Sequence, residues 1–223
     1  MRRNARALAE LARANPVGAP HAYAVARRAI SLRAEQKVRE LAPFLALVAR
    51  HPPSVVVEIG ADRGGSFYAW CQIATPDALL VGIDMPGGEG GEFTDDVAEA
   101  MLRHKRPGQR AESISGDSHD PATKARLQQL LDGRRIDLLF IDGDHSYEGV
   151  RQDFETYGSL AELVALHDVL PHPDFPACQV DQFWAELKGR HRTREFLDPE
   201  DDRGWGQWGG IGVVFDPRPP GGS

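Results

Sequence analysis

The segment Val55-Val-Val-Glu-Ile-Gly-Ala-Asp-Arg-Gly-Gly-Ser66 decides how the rest of the chain is read. Val55 to Ile59 is a β-branched run around one acid, too short for a helix and closed by Gly60, so it predicts a buried strand. Gly60, Gly64 and Gly65 allow the backbone to approach a ligand, and Ser66 to Ala74 has a helical pattern. Strand, glycine turn and helix together make the first half of a βαβ crossover.

The same unit recurs downstream. Leu79 to Ile83 is a strand closed by Asp84, and Phe93 to His104 reads as helix. Glu112 to Ser115 is a short strand leading to Gly116-Asp117-Ser118, followed by helix from Pro121 to Leu131. Ile136 to Ile141 is strand, Tyr147 to Tyr157 helix, and Leu163 to Leu166 a strand running into His167-Asp168. After a helix from Gln179 to Lys188, the segments Arg194 to Leu197 and Ile211 to Phe215 suit an antiparallel hairpin on the sheet edge. The expected fold is α/β: a Rossmann-like, doubly wound, mostly parallel seven-stranded sheet with an antiparallel C-terminal hairpin and an N-terminal helical extension.

Upstream, Ala5 to Ala14 and Ala22 to Ala49 carry helix-period patterns, ended by His51-Pro52-Pro53. The expected organisation is therefore a helical extension over 1–52, a main domain over 53–217 and a disordered tail over 218–223. The 223 residues suit a single domain, and 41% hydrophobic content provides for a sizeable core. The longest apolar run, Leu41 to Ala49, is interrupted by Pro43 and falls short of the ~18 residues of a membrane span. Cys71 and Cys178 form neither a disulfide framework nor a four-cysteine zinc site, and read as reduced packing residues of a cytoplasmic protein.

Charge is unevenly distributed. Residues 1–50 hold 10 Lys and Arg against 3 Asp and Glu, and the remaining 173 hold 16 against 30. The basic residues are scattered among alanines and leucines without aromatic interleaving, which favours a solvated helix face or a homo-oligomer contact over nucleic acid.

In an open parallel sheet, ligands bind beyond the carboxyl ends of the strands. Here those ends carry Glu58 with the glycine turn, Asp84, Asp117, Asp142 and His167-Asp168. Each alone is an ordinary turn or cap residue; all on one rim predict a site. The glycine segment lacks the dinucleotide and P-loop spacings. Glu58 suits a ligand ammonium, Asp84 the two hydroxyls of a ribose, and Asp117 with Ser118 an adenine amino group. Ribose, adenine and an amino-acid end together describe S-adenosylmethionine.

The chain resembles class I S-adenosylmethionine-dependent methyltransferases, and within them the bacterial group of macrolide-sugar O-methyltransferases and cephalosporin hydroxylase-like proteins. Val57-Glu-Ile-Gly-Ala-Asp-Arg-Gly-Gly-Ser66, Gly82-Ile-Asp-Met-Pro-Gly-Gly88, Gly116-Asp-Ser118, Asp137-Leu-Leu-Phe-Ile-Asp-Gly-Asp-His-Ser-Tyr-Glu148 and His167-Asp168 carry the resemblance; Phe183-Trp184 and Gly209-Gly-Ile-Gly212 add weaker support. It implies a cofactor pocket of Glu58, Gly60, Ser66, Asp84, Asp117 and Ser118. It also implies a divalent cation, magnesium or manganese, on Asp142 and Asp168, with His167 either a third ligand or turned away. Carboxylates at adjacent strand ends, ~4.8 Å apart, can share one cation if strands four and five are neighbours.

His145 reads either as a loop histidine packing on Tyr147 or as the general base that removes the acceptor's proton, the role the resemblance implies. Asp144 either orients it or adds a ligand. Met85 to Gly91 is a flap beside the ribose or a plain surface loop, and Trp205-Gly-Gln-Trp208 lines the acceptor site or anchors the hairpin. His21, Tyr23 and Phe44 are candidate covers of the acceptor pocket.

The expected activity is metal-assisted O-methylation of a small-molecule hydroxyl, a natural product or sugar, with no nucleic-acid or membrane partner. Two alternatives are a metal-dependent hydrolase using Asp142, Asp144, His145 and Asp168, and a non-catalytic cofactor-binding partner protein. The hydrolase leaves Glu58, Asp84 and Asp117 without a task.

Overall fold

A computed structural model describes residues 18–87, 93–198 and 208–217. Two helices come first, α1 (Ala19–Ser31) and α2 (Val38–Val48). Five strands alternating with four helices follow: β1 (Val55–Ile59), α3 (Gly65–Ile73), β2 (Leu79–Asp84), α4 (Asp95–Leu102), β3 (Arg110–Ser115), α5 (Pro121–Leu131), β4 (Ile136–Ile141), α6 (Tyr147–Tyr157) and β5 (Ala161–Leu166). The chain closes with α7 (Val180–Arg190), β6 (Arg192–Phe196) and β7 (Ile211–Phe215). The expected helix over 5–14 and tail over 218–223 lie outside the described residues.

The seven strands form one sheet in the order β3-β2-β1-β4-β5-β7-β6. β1 to β5 are mutually parallel where they pair, and β7 runs antiparallel to both β5 and β6. All five residues of β1 are buried, the acid Glu58 among them, as befits a central strand covered on both faces. One layer beside the sheet packs α1, α2 and α3, with Leu41, Phe44 and Trp70 against Leu80 and Phe140. The other packs α5, α6 and α7, with Leu127, Tyr157 and Trp184 against Val57 and Leu139. Cys71 and Cys178 are buried and free. Among the described residues, no helix is long and apolar enough to cross a membrane.

Two differences from the sequence expectation bear on the site. The helical pattern over Ala22 to Ala49 is broken between Ser31 and Val38, where Arg33 adopts φ 76°. The break brings the backbone of Ala34 onto Gly65, where a Cβ would lie 2.1 Å from the Ala34 nitrogen. Phe44, expected near the acceptor, is instead fully buried, in edge contact with Trp70 at 5.9 Å and stacked on Phe140 at 6.4 Å.

Candidate functional site

Strand order reverses between β1 and β4, the place where an open α/β sheet leaves a crevice at its carboxyl edge. Just past the strands, backbone bonds continue the ladder as a staircase. Gly60 donates to Ile83, Asp142 to Ile59, His167 to Ile141 and Gly116 to Asp84, at 2.8 to 3.1 Å. The loops carrying the acids therefore start in register with the sheet. Above them lies a cavity of about 980 Å³.

Gly60, Ser66, Asp84, Asp117 and Ser118 line this cavity together. Gly60 takes φ +83°, and a Cβ there would lie 2.0 Å from the carbonyl oxygen of Asp142, so only glycine fits. Asp84 accepts from the backbone N–H groups of Asp62, at 2.5 Å, and Met85, at 2.7 Å. Its pKa is raised, burial being the largest cause. Asp117 accepts from the His119 N–H at 2.8 Å, and the Ser118 carbonyl accepts from the Tyr157 hydroxyl.

Glu58 stands apart from this group. It is fully buried behind the cavity wall, and Oε1 accepts from the Trp70 indole at 2.8 Å. Burial pushes its carboxyl up to about 8, against the pull of hydrogen bonds from Ser66 and Trp70. A side chain serving Trp70 is not presented to a ligand ammonium in this arrangement.

At the ends of β4 and β5, which pair directly, three side chains converge. His145 Nε2 lies 3.5 Å from Asp142 Oδ1 and 3.3 Å from Asp168 Oδ2. One ligand atom from each of Asp142, His145 and Asp168 falls within 4.8 Å of the others. Asp168 Oδ1 is buried without a hydrogen bond, and the residue takes φ 59°, a conformation aspartate tolerates better than most. The Asp142 and Asp168 carboxylates, with one oxygen buried and lacking a hydrogen bond, fit a divalent cation, and the His145 imidazole stands beside them. Burial lowers the His145 pKa, but hydrogen bonds to Asp142 and Asp168 outweigh it and carry it to about 11.

His167 joins the same carboxylates from a second side. Its Nδ1 lies 3.2 Å from Asp142 Oδ1 and 3.5 Å from Asp168 Oδ1, and its Nε2 lies 3.1 Å from Glu40 Oε1. Asp144 accepts from the Ser146 N–H at 2.8 Å and packs on Gly149, so it organises the start of α6 rather than His145.

Beyond the carboxylates, the cavity is walled by Gln36, His172, Phe175 and Trp208. Trp208 is 8% exposed, with Lys37 Nζ 4.1 Å from the ring centroid. Tyr23, by contrast, packs on the core. Met85 lines the cavity and is half-exposed, whereas residues 88–91 of the expected flap, and Trp205, lie outside the described residues.

Sequence reasoning missed Gln36, Glu40, His172 and Phe175. The last two sit in the loop after β5, a position on the ligand-binding edge that the fold alone could have flagged. Gln36 and Glu40 looked like ordinary residues of a helical pattern and gave no signal.

Residues 57–169, from β1 to just past β5, match the methyltransferase-domain family. The chain belongs to this family. It is of the class I S-adenosylmethionine-dependent kind. The matched span includes every rim residue from Glu58 to Asp168, and leaves out α1, α2 and the terminal hairpin.

A curated relative, ribosomal RNA large subunit methyltransferase E of Nitrosomonas eutropha, is 31% identical over 135 residues. The match covers 60% of this chain and 56% of the relative, so the chain spans about half that protein's length. Among solved structures, the O-methyltransferase TomG of Streptomyces achromogenes, in complex with S-adenosylmethionine, aligns at TM-score 0.53 and 16% identity over 94% of this chain and 89% of its own. An O-methyltransferase of Bacillus cereus aligns at TM-score 0.57 and 18% identity, over 94% of this chain and 90% of its own. At these identities the likeness is one of fold.

Proposed function

We propose that this family member transfers the methyl group of S-adenosylmethionine to a hydroxyl of a small molecule, a natural product or sugar, with a divalent cation's assistance. One observation carries the reading: the Asp142–His145–Asp168 cluster opens onto the same cavity as Asp84, Asp117 and Ser118. A methyl donor held at one end and an acceptor oxygen at the other would meet there.

In this reading Asp84 receives the ribose hydroxyls, Asp117 and Ser118 face the adenine, and the Gly60 turn lets the backbone approach the donor. S-adenosylmethionine supplies a methyl group made electrophilic by its sulfonium. Asp142 and Asp168 would hold the cation, which supplies Lewis acidity that lowers the pKa of the acceptor hydroxyl. His145 takes the proton at Nε2. In the ion-free state its carboxylate partners keep it protonated; once their charge is neutralised, burial favours the neutral imidazole needed for a base. The oxygen–carbon bond forms as the carbon–sulfur bond breaks, leaving S-adenosylhomocysteine and a methyl ether. Cytoplasmic residence and self-association belong to the same proposal.

The test is calorimetric titration with S-adenosylmethionine, followed by transfer from methyl-labelled donor to a panel of sugar, phenol and polyketide hydroxyls, with and without chelator. Cation-dependent label in an ether product is the expected result; no heat of binding from the donor would sink the proposal.

The ribosomal RNA methyltransferase relatives motivate a second reading, in which the acceptor oxygen belongs to RNA. The net charge of −7 opposes it. Including ribosomal RNA in the acceptor panel separates the two.

A further inference from the structure

We propose that the connection between α1 and α2, together with the first turn of α2, is a working part of the cation site: Gln36 directly, and Glu40 through His167, fix the two oxygens of Asp142. The inference rests on the cation-assisted reading above, but concerns residues outside the span matched by the methyltransferase-domain family.

Gln36 is 3% exposed, and its Nε2 donates to Asp142 Oδ2 at 2.7 Å across 106 positions of sequence. The carboxylate accepts only, so the amide must turn its NH₂ toward Asp142, which leaves Oε1 as a buried acceptor without a hydrogen bond beside the cavity. On the other side, Asp142 Oδ1 lies 3.2 Å from His167 Nδ1, and His167 Nε2 lies 3.1 Å from Glu40 Oε1. Glu40 is fully buried and itself fastened. Oε1 accepts from the Lys37 N–H at 2.6 Å, and Oε2 from the Gly210 N–H at 2.9 Å.

A carboxylate buried this deeply is costly, and apolar packing commonly stabilises a fold at least as well. What it achieves here is geometric. It sets the ring plane of His167, and the ring in turn sets Asp142, so the carboxylate that would meet the cation is gripped at both oxygens before any ligand arrives. Partners of this kind, one step removed from a cation, typically change its affinity ~10–100-fold when lost. Gln36 and Glu40 are therefore positioning residues.

The test measures manganese(II) binding by the loss of the free-ion electron paramagnetic resonance signal, and S-adenosylmethionine binding by calorimetry, on the full chain. Variants are Gln36→Met and Glu40→Gln, with thermal unfolding to confirm the fold. Each variant is expected to weaken manganese binding about tenfold or more, while S-adenosylmethionine affinity stays within about twofold. The double variant should lose less than the product of the two, because both act on Asp142. Manganese affinity unchanged in folded variants, or equal losses for manganese and S-adenosylmethionine, would overturn the inference. Should Glu40→Gln fail to fold, Gln36→Met alone decides. If the unaltered chain takes up no manganese, the cation part of the proposed function falls first and takes this inference with it.

Discussion

Gly60 and Asp142 meet so closely across the gap between β1 and β4 that a single added carbon on Gly60 would sit 2.0 Å from the Asp142 carbonyl oxygen. The turn that would face the methyl donor and the turn carrying a cation-side acid are thus packed as one unit. Gly60→Ala adds that overlap to the penalty of a left-handed conformation, ~1–2 kcal/mol by itself. Chemical denaturation should show a loss of at least that size, and donor binding should fall with it.

Asp84→Asn should weaken S-adenosylmethionine binding ~10-fold or more, because a ribose hydroxyl loses a charged acceptor. Calorimetry at fixed ionic strength measures this. Manganese uptake should be unchanged, since Asp84 is outside the cluster at β4 and β5.

His145→Ala should lower the rate of methyl transfer ~10²–10⁴-fold, the usual contribution of a placed base. Donor affinity should hold. Stopped-quench assays at saturating donor distinguish the two effects.

Asp142→Asn or Asp168→Asn should reduce manganese affinity by at least ~100-fold, more than loss of an outlying partner. Chelator added to the unaltered chain should abolish transfer, and magnesium or manganese should restore it.

Glu58 makes stability depend on pH. Its folded pKa of about 8 is above the ordinary value of 4.5, so across that interval the native state keeps a proton that the unfolded chain has released. The stabilisation it provides is complete below about 4.5 and is lost as pH rises through 8. Glu58→Gln removes this dependence, so the difference in thermal midpoint between variant and parent should shift in the variant's favour from pH 5 to pH 8. Parallel curves would contradict the assignment.

Much of the fold was legible because local signals and tertiary demands coincided. Ile136–Ile141 and Tyr147–Tyr157 fall at the expected positions, with Ser146 accepting from the Gly149 N–H as the cap that starts α6. The rim acids were legible for a topological reason, since a parallel sheet places every strand's carboxyl end along one edge. The break at 32–37 was not, because it contains neither Gly nor Pro, and the close approach to Gly65 that accompanies it is distant in sequence. The backing of His167 by Glu40 was also hidden, because no periodicity announces a partner 127 positions away.

The grip on Glu40 by Gly210 ties an early helix to the turn that precedes the final strand. A chain emerging from the ribosome can complete the turns around Asp84 and Asp117 well before that turn has been synthesised. The acid-and-imidazole end of the crevice therefore waits for a stretch of chain made long after the residues that line the rest of it.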